Sequence, residues 1–154
     1  MLHFADGIVY VGGTNEDLET PWGFAFLPNG EALVGERAVG RLSLIDMSTG
    51  KRRKISGLPK MLRDKKISAG LFDILPHPRF DENQLVYLVH SVGTSNEVGL
   101  AISQGKLMDD KIVDSKILFE TQPRIAGKWH FGGRLVVKGE HLFLSTGDGY
   151  DFRD

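Results

Sequence analysis

Three short apolar runs open alike along this chain, at a spacing of about 50 residues. They are Trp22-Gly23-Phe24-Ala25-Phe26-Leu27, Leu71-Phe72-Asp73-Ile74-Leu75 and Gly133-Arg134-Leu135-Val136-Val137. Each leads through turn-forming residues into a returning run. Pro28-Asn29-Gly30 turns the first into Glu31 to Glu36, since Pro presets φ and Asn-Gly tolerates positive φ. Pro76 to Asn83 turns the second into Leu85 to His90, and Lys138-Gly139-Glu140 turns the third into His141 to Ser145. Further strands follow. Arg41 to Asp46 alternates polar and apolar residues, as a half-exposed strand does. Lys51 to Ile55 reads as a polar outer strand, and Val98 to Ser103 and Lys111 to Phe119 extend the second unit.

A meander of up to four strands, repeated at this period, predicts an all-β chain folded as a β-propeller. A blade cannot bury both of its faces alone, so neighbouring blades must cover it. Rings close with roughly four to eight blades, and this sequence supplies about two and a half. The expected organisation is one incomplete propeller domain over 1–154, with blades at 18–57 and 67–120 and a partial blade at 128–154. The sequence is accordingly expected to be part of a longer protein. Gly7 to Val11 is expected to be an outer strand of a blade completed from elsewhere.

The 19 glycines fall mostly between the apolar runs, where turns need them. Helix signals are weak, the best being a short turn near Leu58 to Leu62, which Pro59 limits. With 19 Lys+Arg against 20 Asp+Glu, the net charge of -1 gives no footprint for nucleic acid or anionic membrane. The basic run Lys51-Arg52-Arg53-Lys54 reads as a solvated turn and guarded strand edge. No stretch approaches the roughly 18 apolar residues of a membrane span. Met1 to Asp6 lacks the features of a signal peptide. The absence of cysteine excludes disulfides and thiolate metal sites.

Chemistry concentrates in Lys128-Trp129-His130-Phe131-Gly132-Gly133-Arg134-Leu135, which places an imidazole in a turn ahead of a strand. With a reference pKa of about 6.5, such a group accepts a proton near neutral pH. His77, between two prolines, is expected to be structural, and His3, His90 and His141 share no ligand spacing with it for zinc. Asp148, in Thr146-Gly147-Asp148-Gly149, is expected to cap a turn rather than bind calcium. Trp22 and Phe24 are expected in the blade core. Asp73, set in an apolar run, is expected to tie blades together through hydrogen bonds.

These motifs together resemble the soluble glucose/sorbosone dehydrogenases, the PQQ-dependent aldose sugar dehydrogenases. Thr20 to Gly30, Val34-Gly35-Glu36-Arg37 and Gly40-Arg41-Leu42 resemble their first blade. Gly70 to Ile74, His77-Pro78, Phe80 and Leu85 to Leu88 resemble the second. His130 to Leu135 and Ser145-Thr146-Gly147-Asp148 resemble the start of the third. The resemblance implies a six-bladed propeller with pyrroloquinoline quinone (PQQ) at the mouth of its channel and calcium helping to hold it. It implies oxidation of an aldose at the anomeric hydroxyl, with His130 as general base and cofactor contact and the quinone as hydride acceptor. It also implies a periplasmic or extracellular location, a small-molecule sugar substrate and an electron acceptor of unspecified kind. The remaining ligands for cofactor and calcium are expected outside this sequence, so this chain alone is expected to be inactive. Two positions depart from the family pattern. Ser68 stands where a glutamine is expected, and Trp129 stands where glucose-oxidising members carry an acid. A serine cannot span the same gap, and a tryptophan can stack but cannot replace a carboxylate. A non-catalytic propeller used for binding, and a calcium-dependent propeller hydrolase, are the alternatives.

Overall fold

A computed structural model describes residues 18–150 in full and the backbone of residues 2–5 and 8–11. The first complete sheet holds β3 (Pro21–Phe26), β4 (Glu31–Glu36), β5 (Arg41–Asp46) and β6 (Arg52–Ile55), in that order. Ahead of it, β1 (Leu2–Ala5) and β2 (Ile8–Val11) pair as an antiparallel hairpin. β2 covers most of the strand expected near the N-terminus, while Gly7 lies outside the described residues.

Local chemistry explains the turns. Asn29 accepts a hydrogen bond from the Glu31 backbone N at 3.1 Å, and Gly30 takes φ 83. After β5, the Asp46 carboxylate accepts from Ser48 Oγ, Ser48 N and Thr49 N. The Ser48 hydroxyl and those amides lower the Asp46 pKa to about 2.

The second sheet holds β7 (Leu71–Pro76), β8 (Leu85–Thr94), β9 (Glu97–Met108) and β10 (Lys111–Glu120), again a consecutive meander. A 3-10 turn (Lys65–Ile67) precedes it. One helical turn, α1 (Phe80–Asn83), lies between β7 and β8. The helical turn expected at Leu58 to Leu62 is absent, and that segment is irregular. Pro59 denies it a backbone donor. β11 (Gly132–Lys138) and β12 (His141–Thr146) pair as a hairpin that starts the third sheet. Residues 151–154 lie outside the described residues.

The sheets stack face to face in chain order. Leu33, Leu42 and Leu44 of the first pack with Leu71, Ile74 and Leu88 of the second in one apolar core. Phe72, Val89 and Ile102 of the second pack with Phe131, Leu135, Leu142 and Leu144 in another. Each fully buried leucine contributes about 1.5–3 kcal/mol. The all-β stack of meandering sheets is a β-propeller architecture.

Among the described residues nothing covers Trp22 and Phe24, and both are 53% exposed. With Phe26 they occupy the face of β3 turned away from the second sheet. Strand alternation sends them there. Val136 and Phe143 are likewise exposed on the third sheet. A blade has two apolar faces, and the described residues cover only one face of each terminal sheet.

The basic run is more than a solvated edge. Arg52 donates to Ser43 Oγ at 2.9 Å and pairs with the fully buried Glu36. Arg53 bridges Glu31 and Asp110, the second of these at 2.7 Å, and so links the first sheet to the second.

Asp73 ties the second sheet to the third. Its Oδ2 accepts from Leu135 N at 2.8 Å, and its Oδ1 lies 3.2 Å from Arg134. The first strand of the third sheet is thereby held beside β7, which fixes where the preceding loop emerges.

Candidate active site

β3, β7 and β11 are the first strands of their sheets, and the residues entering them gather on one rim. Arg37, just after β4, accepts from Leu71 N at 3.2 Å and donates to Thr20 O at 3.1 Å. The segment Ser68 to Gly70 runs past it, and residues 128–131 enter β11 on the same side.

His130 sits at the mouth of β11 with φ 55, in the left-handed region. Its neighbour Phe131 is buried and packs edge-to-face on Phe72, with ring centroids 6.1 Å apart. That plug leaves the His130 imidazole 49% exposed on the rim. The segment after β12 folds back onto this loop. Gly147 N donates to Phe131 O at 2.9 Å, and Gly149 N donates to His130 O at 3.4 Å. A Cβ at Gly147 would fall 1.5 Å from the His130 carbonyl oxygen, so only glycine permits this approach.

The fold-back brings Asp148 Oδ1 to 3.4 Å from His130 Nδ1. The same carboxylate oxygen accepts from Tyr150 N at 2.9 Å, the turn cap that the sequence suggested. Tyr150 then stands edge-on to His130, at 5.0 Å between centroids, and to Trp129, at 5.4 Å. Sequence reasoning singled out His130 but missed Asp148 and Tyr150 as its neighbours. The available signal was the Thr-Gly-Asp-Gly turn directly after the strand that returns to the histidine.

A carboxylate on Nδ1 leaves Nε2 as the nitrogen available to solvent or substrate. The pair can therefore orient an imidazole.

The other candidates lie elsewhere. Ser68 is half-buried with φ 52, closing the 3-10 turn whose N-cap, Asp64, accepts from Lys66 N at 2.9 Å. His77 accepts from Arg79 N at 3.0 Å, a structural role as expected. It lines a cleft of about 580 Å³ with Tyr87 and His141, at the opposite end of the strands. His90 is fully buried. Its Nδ1 lies 3.3 Å from the Ser91 carbonyl and its Nε2 lies 2.8 Å from Ser103 Oγ. Among the described residues, no three histidine or acidic side chains come together to hold a metal ion. No helix among them is long and apolar enough to cross a membrane.

The glucose/sorbosone dehydrogenase family profile matches residues 18–154. The aldose sugar dehydrogenase YliI of Escherichia coli is 31% identical over 151 residues, 96% of this chain and 40% of that protein. The apo-form structure of the soluble aldose sugar dehydrogenase from Escherichia coli superposes with a TM-score of 0.76 at 33% identity, covering 86% of this chain and 39% of that one. A PQQ-bound aldose sugar dehydrogenase from Streptomyces coelicolor shares the fold, with a TM-score of 0.69 at 24% identity over 86% of this chain and 39% of that one. The chain spans between 34% and 40% of the length of the curated relatives it matches.

Proposed function

This chain belongs to the glucose/sorbosone dehydrogenase family, and from that premise we propose that it forms part of a PQQ-dependent aldose sugar dehydrogenase. The reaction is oxidation of an aldose at its anomeric hydroxyl to the lactone. The observation that carries the reading is the His130–Asp148 pair, open on the rim where the inner strands begin. A periplasmic or extracellular location belongs to the same reading.

His130 is the general base. Asp148 faces its Nδ1, so a proton held there keeps the Nε2 lone pair free for the sugar hydroxyl. As the hydroxyl proton moves to Nε2, the Asp148 charge stabilises the imidazolium. Tyr150 stands edge-on to the ring and limits its rotation. Trp129, 41% exposed, presents an aromatic surface where glucose-oxidising relatives carry an acid.

PQQ is a flat anion bearing carboxylates. The rim fits such a group: it carries a half-exposed imidazole and an orphaned buried guanidinium nitrogen, Nε of Arg37. When bound, the quinone supplies the acceptor for the hydride that leaves the anomeric carbon. Among the described residues no three histidine or acidic side chains come together, and Asp148 faces Tyr150 N and His130, so the calcium ligands of this reading lie outside them. No step is assigned to calcium.

The test is reconstitution with PQQ of the full-length protein that contains this chain, in calcium-containing buffer, followed by dye-coupled oxidation of an aldose panel. Aldose oxidation that disappears in His130→Ala is the expected result. No oxidation of any aldose, with no cofactor absorbance retained after desalting, overturns the reading.

A further inference from the structure

We propose that Arg37 anchors a carboxylate of the quinone cofactor, with Trp22 holding its guanidinium in place. The inference rests on the reading of the chain as a quinone-dependent dehydrogenase, and adds to it a residue from the first sheet.

The position is fixed by backbone. Arg37 bonds Thr20 on one side and Leu71 on the other, where two inner strands begin. A Cβ on Gly70 would lie 1.7 Å from the Arg37 carbonyl oxygen, so the two segments are in direct contact. The guanidinium carbon stands 4.1 Å from the centroid of the Trp22 ring, which is itself half-exposed. That stacking fixes the plane of the guanidinium before any ligand arrives, so little rotamer freedom is lost on binding.

The unpaired charge is what requires a ligand. Among the described residues, Arg41, Arg52, Arg53, Arg79, Arg124 and Arg134 each pair with a carboxylate, and Arg63 donates to the Val39 carbonyl. Arg37 has neither kind of partner among them. Among the described residues, three buried side-chain polar atoms lack a hydrogen bond: Arg37 Nε, Arg41 Nε and Asp73 Oδ1. The second lies 3.0 Å from Glu36, and the third 3.2 Å from Arg134. Only Arg37 Nε meets no opposite charge. Burial also draws the Arg37 pKa below the usual guanidinium value. A buried guanidinium nitrogen without a partner costs stability, and a guanidinium fork suits a carboxylate or a phosphate.

Aldoses are uncharged. Within the dehydrogenase reading, the cofactor carboxylates are the anions that reach this rim, where Arg37 is unpaired among the described residues. An acidic sugar is the other carboxylate that could reach this rim.

The experiment titrates the full-length apo-protein that contains this chain with PQQ, following cofactor absorbance, for the native protein, Arg37→Gln and Arg37→Lys. A parallel arm titrates each with galacturonate by calorimetry, and melting curves check the fold. The expected result is PQQ affinity weakened at least about tenfold in Arg37→Gln. Arg37→Lys recovers part of it, galacturonate binds none of the three, and melting temperatures change little. Loss of melting temperature in Arg37→Gln with PQQ affinity unchanged assigns Arg37 a structural role and overturns the proposal. Galacturonate binding that depends on Arg37, with PQQ affinity unchanged, overturns it too. In both cases retained aldose oxidation leaves the dehydrogenase reading standing. If the native protein itself fails to bind PQQ, that reading falls and the anchor falls with it.

Discussion

Asp73 and Leu135 are joined by a 2.8 Å hydrogen bond from backbone nitrogen to a carboxylate that is 3% exposed, and this bond crosses from the second sheet to the third. It positions β11, and β11 positions His130. Asp73→Ala leaves the Leu135 N–H without an acceptor and frees Arg134. The expected loss is about 1–3 kcal/mol, the cost of one buried group left unsatisfied. Arg134 is well exposed, so its ion pair adds little. Asp73→Asn keeps an acceptor oxygen and should lose less than Asp73→Ala. Urea melts of the two variants measure the difference, and equal stability of all three proteins would remove the tie.

Asp148→Asn tests the partner of the base. The variant keeps the turn cap to Tyr150 but removes the negative charge facing His130. Turnover should fall by about 10- to 100-fold, the usual cost of losing an orienting partner. His130→Ala should cost more, about 10²- to 10⁴-fold. Kinetics of the full-length protein distinguish the two, and unchanged turnover in Asp148→Asn would show that the carboxylate only shapes the loop.

Why was His130 legible in the sequence when Asp148 was not? His130 precedes an apolar run, so its place at a strand mouth follows from local pattern. Its pairing with Asp148 depends on the return of β12 and on Gly147, which are tertiary facts. The same division runs through the fold. Pro28-Asn29-Gly30 and Lys138-Gly139-Glu140 mark hairpins by turn chemistry alone, and the strands around them follow. Trp22 and Phe24 share a face by alternation, but which sheet covers that face is not a local fact. Arg37 was quoted only as part of a motif, because its lack of a counter-charge is visible only once every other partner is placed.

His90 makes stability depend on pH. Its Nδ1 faces the Ser91 carbonyl, which can only accept, so Nδ1 carries the proton and Nε2 accepts from Ser103. Burial holds the imidazole below the ordinary histidine pKa, with the Ser91 carbonyl and the Glu120 charge acting in the opposite sense. The unfolded chain therefore binds this proton more readily than the folded one. Stability is full above the unfolded pKa of about 6.5 and declines as pH falls from there towards the folded pKa, with a slope of at most about 1.4 kcal/mol per pH unit. His90→Asn cannot titrate and should lose that slope. Denaturant midpoints between pH 5 and pH 7 decide it, and an identical slope in the variant rejects the assignment.

Gly147→Ala probes the contact that builds the site. The new methyl group would meet the His130 carbonyl at 1.5 Å, so residues 147–150 must move away from the loop. Overpacking of this kind costs about 1–3 kcal/mol. Asp148 and Tyr150 should leave His130 together, and turnover should fall at least as far as in Asp148→Asn. Gly139→Ala is the control. Gly139 also has positive φ, at 59, but a Cβ there meets nothing within 4 Å, and it lies at the far turn of the same hairpin. It should lose about 1–2 kcal/mol through backbone strain alone and keep its turnover. Parallel melts and rates separate a damaged hairpin from a damaged site. Full turnover in Gly147→Ala would mean that His130 works without the fold-back of residues 147–150.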